Sequence, residues 1–286
     1  MQLDLGFPTR ALRFTVLGSG SAGNCLALMS GRRTLLVDAG FSCRELVRRL
    51  ESVDAAPSSV AGLVVTHEHE DHCRGARLFA RRYGVPIYAT AGTLEGMDLA
   101  EEEVVTHVLE RGERRRIGPF AVLPFAVPHD AREPVGLVLE DASGHRVGLA
   151  TDIGARTVEA WRRLKDLDVL VLETNHDPEL LREGPYPWPL KQRIASPTGH
   201  LSNLDAARGL EELVDPRLKW VVLYHLSRTN NLPALAAEAV LEVLDRAGSP
   251  ARLVISDQFE PTSWLHVHGE EAWAEEPRRR AAATRG

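Results

Sequence analysis

The residues that follow Leu63-Val64-Val65 constrain this chain more than any other part of its sequence. That apolar run reads as a buried strand, and it leads directly into Thr66-His67-Glu68-His69-Glu70-Asp71-His72. Four good metal ligands, His67, His69, Asp71 and His72, therefore fall within six residues just past a strand end. In an extended start His67 and His69 point the same way, because side chains alternate along a strand, so they can share one ion. A turn then sends Asp71 and His72 towards a second ion, since one ion does not take four ligands from so short a loop without strain. Three more candidate ligands each follow an apolar run: His129 after Phe125-Ala126-Val127-Pro128, Asp152 after Val147-Gly148-Leu149-Ala150-Thr151, and His225 after Val221-Val222-Leu223-Tyr224. A sandwich places such strand ends around one shared site. Imidazole with carboxylate suits zinc or manganese.

The rest of the chain fits that frame. Short Val- and Leu-rich runs bounded by Gly, Pro or Asp predict strands at 13–17, 25–29, 34–37, 61–65, 120–127, 134–140, 145–150, 168–172, 218–224, 251–255 and 263–267. Helical spacing and capping residues predict helices from Ser42 to about 51 and at 73–83, 156–165, 203–214 and 233–247. Strands in both halves with helices between them suggest two sheets covered by helices. Residues 1–12 read as an extension, 13–268 as one domain, and 269–286 as a disordered tail. The formal net charge of -6 makes the whole molecule no glue for nucleic acid, so polyanion binding has to be local. Three cysteines without framework spacing, no leader-like start and no membrane-length apolar run predict a reducing cytoplasm and no membrane.

With these residues in view, the chain resembles the metallo-β-lactamase superfamily, whose fold is an α/β αββα sandwich. The resemblance implies that His67, His69 and His129 hold one divalent ion, that Asp71, His72 and His225 hold a second, and that Asp152 bridges them. Asp38, at the end of Leu35-Leu36-Val37, matches the family's early strand-end Asp and would orient the His loop. Gly199-His200-Leu201-Ser202-Asn203 and Tyr224-His225-Leu226-Ser227-Arg228 resemble signatures of phosphodiesterase branches such as tRNase Z, which makes His200 the candidate for contact with the scissile phosphate or for proton transfer. Together with Leu17 to Asn24, Glu173 to Asp177 and Gly184 to Arg193, the pattern is similar to the YycJ/WalJ-type bacterial nucleases from about Arg13 to about His268. That similarity implies a 5′→3′ DNA exonuclease linked to DNA repair, with DNA and DNA-repair proteins as partners and two manganese or zinc ions as cofactors. Only 72 residues separate Asp152 from His225, too few for the extra domain of β-CASP nucleases.

The catalytic candidates are thus Asp71, Asp152 and His200, and the candidates for holding phosphate oxygens are Ser227, Arg228, Asn230 and Asn231. Four features stay open at this level. The Gly18 to Asn24 loop can be a phosphate-holding backbone or a plain turn. His176 can act in the site or support it. Arg74, Arg77 and Arg81 can form a basic stripe or a solvated helix face. Pro185-Tyr186-Pro187-Trp188-Pro189 can be a rigid packed loop or a wedge against bases. A thioesterase or lactonase of the same fold would share all seven ligands, so the ligands alone do not choose the substrate.

Overall fold

A computed structural model describes residues 12–99 and 104–267; the extension read over residues 1–12 and the tail read over 269–286 fall, but for Leu12, outside them. Among the described residues the chain forms two seven-stranded sheets. The first contains β1 (Arg13–Gly18), β2 (Cys25–Ser30), β3 (Arg33–Val37), β4 (Val60–Val64), β5 (Ile87–Ala89) and β6 (Thr106–Val108). The second contains β7 (Arg115–Ile117), β8 (Phe120–Ala126), β9 (Val135–Glu140), β10 (Arg146–Ala150), β11 (Val169–Glu173), β12 (Trp220–Tyr224) and β13 (Arg252–Ile255). The last strand, β14 (Leu265–His266), returns to the first sheet beside β1. The helices are α1 (Cys43–Ser52), α2 (Glu70–Cys73), α3 (Ala76–Tyr83), α4 (Ala91–Gly96), α5 (Val158–Arg163), α6 (Pro178–Glu183), α7 (Trp188–Ile194), α8 (Asn203–Glu211) and α9 (Pro233–Arg246).

Three buried clusters define the layers. One joins the facing sides of the sheets, with Phe14, Val37, Leu137, Val171 and Val222 among its members. A second packs β10–β13 against α5, α8 and α9 through Trp161, Leu210 and Val240. The third packs the first sheet against α1 and α3 through Leu36, Leu46 and Phe79. The order is helices, sheet, sheet, helices, the αββα sandwich that the family resemblance implies. Both faces of the central strands are covered, which is why they read as continuous apolar runs.

The pairing explains where a site can form. In each sheet antiparallel neighbours give way to parallel ones: at β3 to β4 in the first, and at β10 to β11 in the second. Ligands in open α/β sheets sit beyond the carboxyl ends of strands at such switch points. Asp38 follows β3, Asp152 follows β10, and the His67–His72 loop follows β4.

Several local expectations change. β5, β6 and β7 have three residues each, too short to show an alternation, and they were absent from the sequence reading. The helix expected over 73–83 starts only at Ala76, as α3, while Cys73 closes the short α2; between them Gly75 N turns in to donate to Ala39 O (2.8 Å). Arg74 lies at that joint, paired with Glu70 at 3.6 Å, so the spacing of Arg74, Arg77 and Arg81 does not run along one unbroken helix. The Pro185–Pro189 stretch is no packed loop: it opens α7, with Pro187 as N-cap and Trp188 64% exposed. At α1, Ser42 Oγ accepts from Glu45 N as the capping pattern predicts, while the Glu45 carboxylate turns to Arg48 and Arg49 instead of back to the cap.

Candidate metal centre

The strand ends bend sharply to aim their side chains. Asp38, Asp152 and His225, each the first or second residue past its strand, have φ of 62°, 51° and 56°. Asp and His are among the side chains that adopt this left-handed region most readily, and three of the six described non-glycine residues found in it stand at this site. The turn swings each side chain back over the edge of the sandwich.

Four imidazoles are held by one nitrogen and present the other. His72 Nδ1 donates to Asp38 Oδ2 (2.8 Å), and Asp38 also accepts from Thr66 N (2.8 Å). His129 Nδ1 donates to Gly199 O (3.1 Å). His225 Nδ1 faces Glu173 Oε1 (3.2 Å), and His67 Nδ1 lies 3.0 Å from Thr66 Oγ1. Such partners set the tautomer, so that Nε2 carries the lone pair towards the centre.

The presented atoms converge. His129 Nε2 lies 3.3 Å from His69 Nδ1. His72 Nε2 lies 3.1 Å from Asp152 Oδ2 and 3.5 Å from Asp71 Oδ2. His225 Nε2 lies 3.2 Å from Asp71 Oδ2 and 3.6 Å from Asp152 Oδ1. Two ligands about 2.0–2.1 Å from one tetrahedral ion are themselves about 3.3 Å apart, so this spacing is that of atoms sharing a cation. Among the described residues four clusters could hold an ion: His67, His69 and His129; Asp71, His72 and His225; His67, His72 and Asp152; and Asp152, Glu173, His200 and His225. His67 Nε2 gives the sharpest test of fit: it is buried and has no hydrogen-bond partner. An unpaired buried nitrogen costs about 1–3 kcal/mol, which a bound cation would remove. The residues fit divalent metal ions.

Glu173, at the end of β11, was singled out in its segment but given no role by the sequence. It is fully buried. Oε1 faces both His200 Nδ1 (2.8 Å) and His225 Nδ1 (3.2 Å), and Oε2 accepts from Ile153 N (2.9 Å) and Leu201 N (3.0 Å). Burial alone would raise its pKa, but the His200 ring and the hydrogen bonds outweigh that and hold it at about 2. In turn, burial works to lower the His200 pKa, and Glu173 and Asp152 reverse this to a net rise. His200 Nδ1 lies 3.6 Å from Asp152 Oδ1, so the predicted phosphate-side histidine stands at the edge of the cluster.

A family model described as a beta-lactamase superfamily domain matches residues 33–226. The chain is 36% identical to exodeoxyribonuclease YycJ of Bacillus anthracis over 83% of its own length and 90% of that protein. It is 34% identical to exodeoxyribonuclease WalJ of Streptococcus pneumoniae over 85% of its length and 90% of that protein. This chain belongs to the metallo-β-lactamase superfamily. Within that superfamily its relatives include the exodeoxyribonucleases YycJ and WalJ. The metallo-beta-lactamase fold protein YhfI of Bacillus subtilis shares the fold, with a TM-score of 0.69 at 18% identity, covering 88% of this chain and 99% of that one.

In this superfamily member the four residues read as phosphate contacts are placed very differently. Ser227 borders a cleft beside His200, although its Oγ already accepts from Thr229 N (3.3 Å) and Asn230 N (3.1 Å). Arg228 is exposed, with its guanidinium over the Phe259 ring at 4.7 Å. Asn230 is fully buried. Asn231 is also buried, and its amide is spent on Thr174 O, Asn175 O, Asn203 and Leu232 N. Asn231 is thus spent inside the protein, while the Asn230 side-chain amide is buried with neither its nitrogen nor its oxygen hydrogen-bonded. The residue types suited a phosphate, but both side chains are buried, and that of Asn231 is bonded to the backbone just past β11.

The backbone of the Gly18–Asn24 loop is mostly spent inside the protein, while Ser21 lines the cleft beside His200. The loop's N–H groups at Ser19, Gly20, Ala22, Gly23 and Asn24 all donate within the protein, which leaves those groups nothing to offer an anion. It is a clasp on the centre. Ser19 Oγ accepts from His225 N (2.7 Å), and Asn24 N donates to Asp71 O (2.8 Å). His176 is buried, and desolvation lowers its pKa to about 4. Its carbonyl accepts from Asn203 N (2.9 Å), which ties the end of β11 to the start of α8.

Proposed function

We propose that this protein is a metal-dependent exodeoxyribonuclease that degrades DNA from a 5′ end, in the cytoplasm and in the service of DNA repair. The observation that carries the reading is the His200–Glu173 pair at the edge of the metal cluster, in a chain aligned with exodeoxyribonucleases over nine-tenths of their length. The polarity and the repair role follow from the resemblance to that group, and DNA-repair proteins are the partners it suggests.

We assign His67, His69 and His129 to one ion, Asp71, His72 and His225 to another, and Asp152 between them. Asp38, Asp71, Asp152 and Glu173 bring four carboxylates to or just behind the cluster, and two divalent cations, manganese or zinc, would offset their charge. Bound ions supply an activated water and positive charge against the phosphoryl oxygens.

The chain supplies the rest. Asp38, Glu173, Gly199 O and the Ser19 clasp fix ring orientations before substrate arrives, so little reorganisation is left for the reaction. Glu173 keeps His200 oriented and favours its protonated form, in which it can donate a proton to the leaving oxygen or hold a phosphoryl oxygen. Ser227 stands where it can reach a phosphate from the cleft rim. Arg228 lies next to it on the surface, where a charged side chain can meet the backbone of a bound strand.

End-labelled duplexes digested across a metal series test the proposal. Stepwise release from the 5′ label with manganese or zinc is expected, and it should be lost in Asp152→Ala and His200→Ala. Intact duplexes under every metal, beside turnover of a thioester or lactone panel, would favour the small-molecule hydrolase instead.

A further inference from the structure

The helix α7 carries Trp188, Leu190 and Ile194, yet none of its residues is buried. An amphipathic helix ordinarily turns its apolar side to the core. Here Leu190 and Ile194, four residues apart and so on one face, join Tyr186 in lining a cleft of about 190 Å³. His200, Ser21 and Ser227 also line it, so an apolar wall and a polar one meet beside the metal centre.

α7 is tied closely to the reacting groups. His200 N donates to Ile194 O (2.9 Å), and Gly199 N donates to Ser196 O (2.9 Å). A Cβ on Gly199 would lie 2.2 Å from both Arg193 O and Ile194 O, so only glycine lets the helix end this near His200. Arg193 pairs with Asp130, the neighbour of His129. The wall is thus registered on both His129 and His200. Its cleft is smaller than the roughly 300–1,000 Å³ of ordinary small-molecule pockets, which suits one flat group and not a stretch of duplex.

We propose that this cleft receives the base of a single terminal nucleotide, with the Tyr186 ring as its stacking surface and Leu190 and Ile194 as its apolar backing. The inference rests on the exodeoxyribonuclease reading and names the element that makes the enzyme act from a strand end. An apolar wall takes the base, and the hydroxyls and imidazole opposite take the sugar-phosphate. Tyr186 touches substrate in this account and sets specificity without taking part in bond cleavage.

A two-by-two comparison tests it: wild type and Tyr186→Ala, each on a duplex with a normal terminal nucleotide and on one ending in an abasic tetrahydrofuran residue. Base–aromatic stacking corresponds to a loss of roughly 5- to 150-fold when one partner is removed. Wild type should lose that factor in kcat/KM on the abasic end, Tyr186→Ala should lose it on the normal end, and the two losses together should not multiply. Tyr186→Phe should behave as wild type. If base removal slows Tyr186→Ala as much as wild type, the losses are independent and the inference is overturned while the nuclease reading stands. A wild-type protein that leaves both duplexes intact overturns the nuclease reading and this inference with it.

Discussion

Replacing Glu173 by Gln probes the centre without touching an assigned metal ligand. The shapes match, so packing at this fully buried position is preserved. The hydrogen-bonding demand is not. Four donors converge on the carboxylate: His200 Nδ1, His225 Nδ1, Ile153 N and Leu201 N. An amide has only one acceptor oxygen. If that oxygen serves the two backbone N–H groups, the amide NH₂ faces the imidazoles, and each must then accept at Nδ1. That tautomer places the proton of His225 on Nε2, the atom 3.2 Å from Asp71 Oδ2, and removes the lone pair a metal needs. Loss of such an orienting partner weakens metal binding by about 10- to 100-fold. At a metal concentration of 100 Kd a bound ion stabilises wild type by about 2.7 kcal/mol; the variant at the same concentration keeps about 0.4–1.4 kcal/mol. Thermal unfolding with and without manganese or zinc reads the difference directly, and a chelator competition reads the affinity. Metal stabilisation equal to wild type within about 0.3 kcal/mol would refute the tautomer argument, whatever happens to activity.

Four further outcomes follow from the geometry. Gly40→Ala places a Cβ 1.7 Å from Asp71 O; the loop has to move by about an ångström, and kcat/KM on DNA should fall about 100-fold with the circular dichroism spectrum unchanged. Asn231→Ala strips partners from Thr174 O, Asn175 O and Asn203; a urea titration should show a loss of about 3 kcal/mol or more, while KM of the folded fraction stays as in wild type. His176 is held neutral in the fold, with a pKa of about 4, against about 6.5 when unfolded, so between these values the unfolded chain binds more protons and stability falls as pH falls. Over that window wild type should lose up to about 3 kcal/mol more than His176→Gln in paired denaturant titrations. Chelation of the metal should abolish DNA cleavage and lower Tm together, and both should return on adding manganese or zinc, because ions that bind only the folded chain stabilise it.

How much of this was legible in the chain depends on the range of the interaction. The β3, β4, β10 and β12 runs are long, apolar and closed by ligand residues, so their strand character and the converging candidates could be read locally. Asp177-Pro178-Glu179 also carries a cap, a first-turn proline and a first-turn acid, signals sufficient to place α6 although the sequence reading passed over it. β5 and β7 had no such signal, because three residues carry no period and each is held by neighbours in its sheet.

What the residues determined unaided was chemical type: an α/β pattern and a set of imidazoles and carboxylates poised at strand ends, facing a common problem of charge. What only tertiary structure decided was partnership. Glu173 finds His200 at a separation of 27 residues, and Ser19 reaches His225 across 206, distances over which no local periodicity operates. The same holds in the negative sense for Asn230 and Asn231, whose polar side chains gave no hint that they turn inward. Side-chain chemistry is a property of the residue, whereas its direction depends on how two sheets pack, and that packing is set by the buried clusters as a whole.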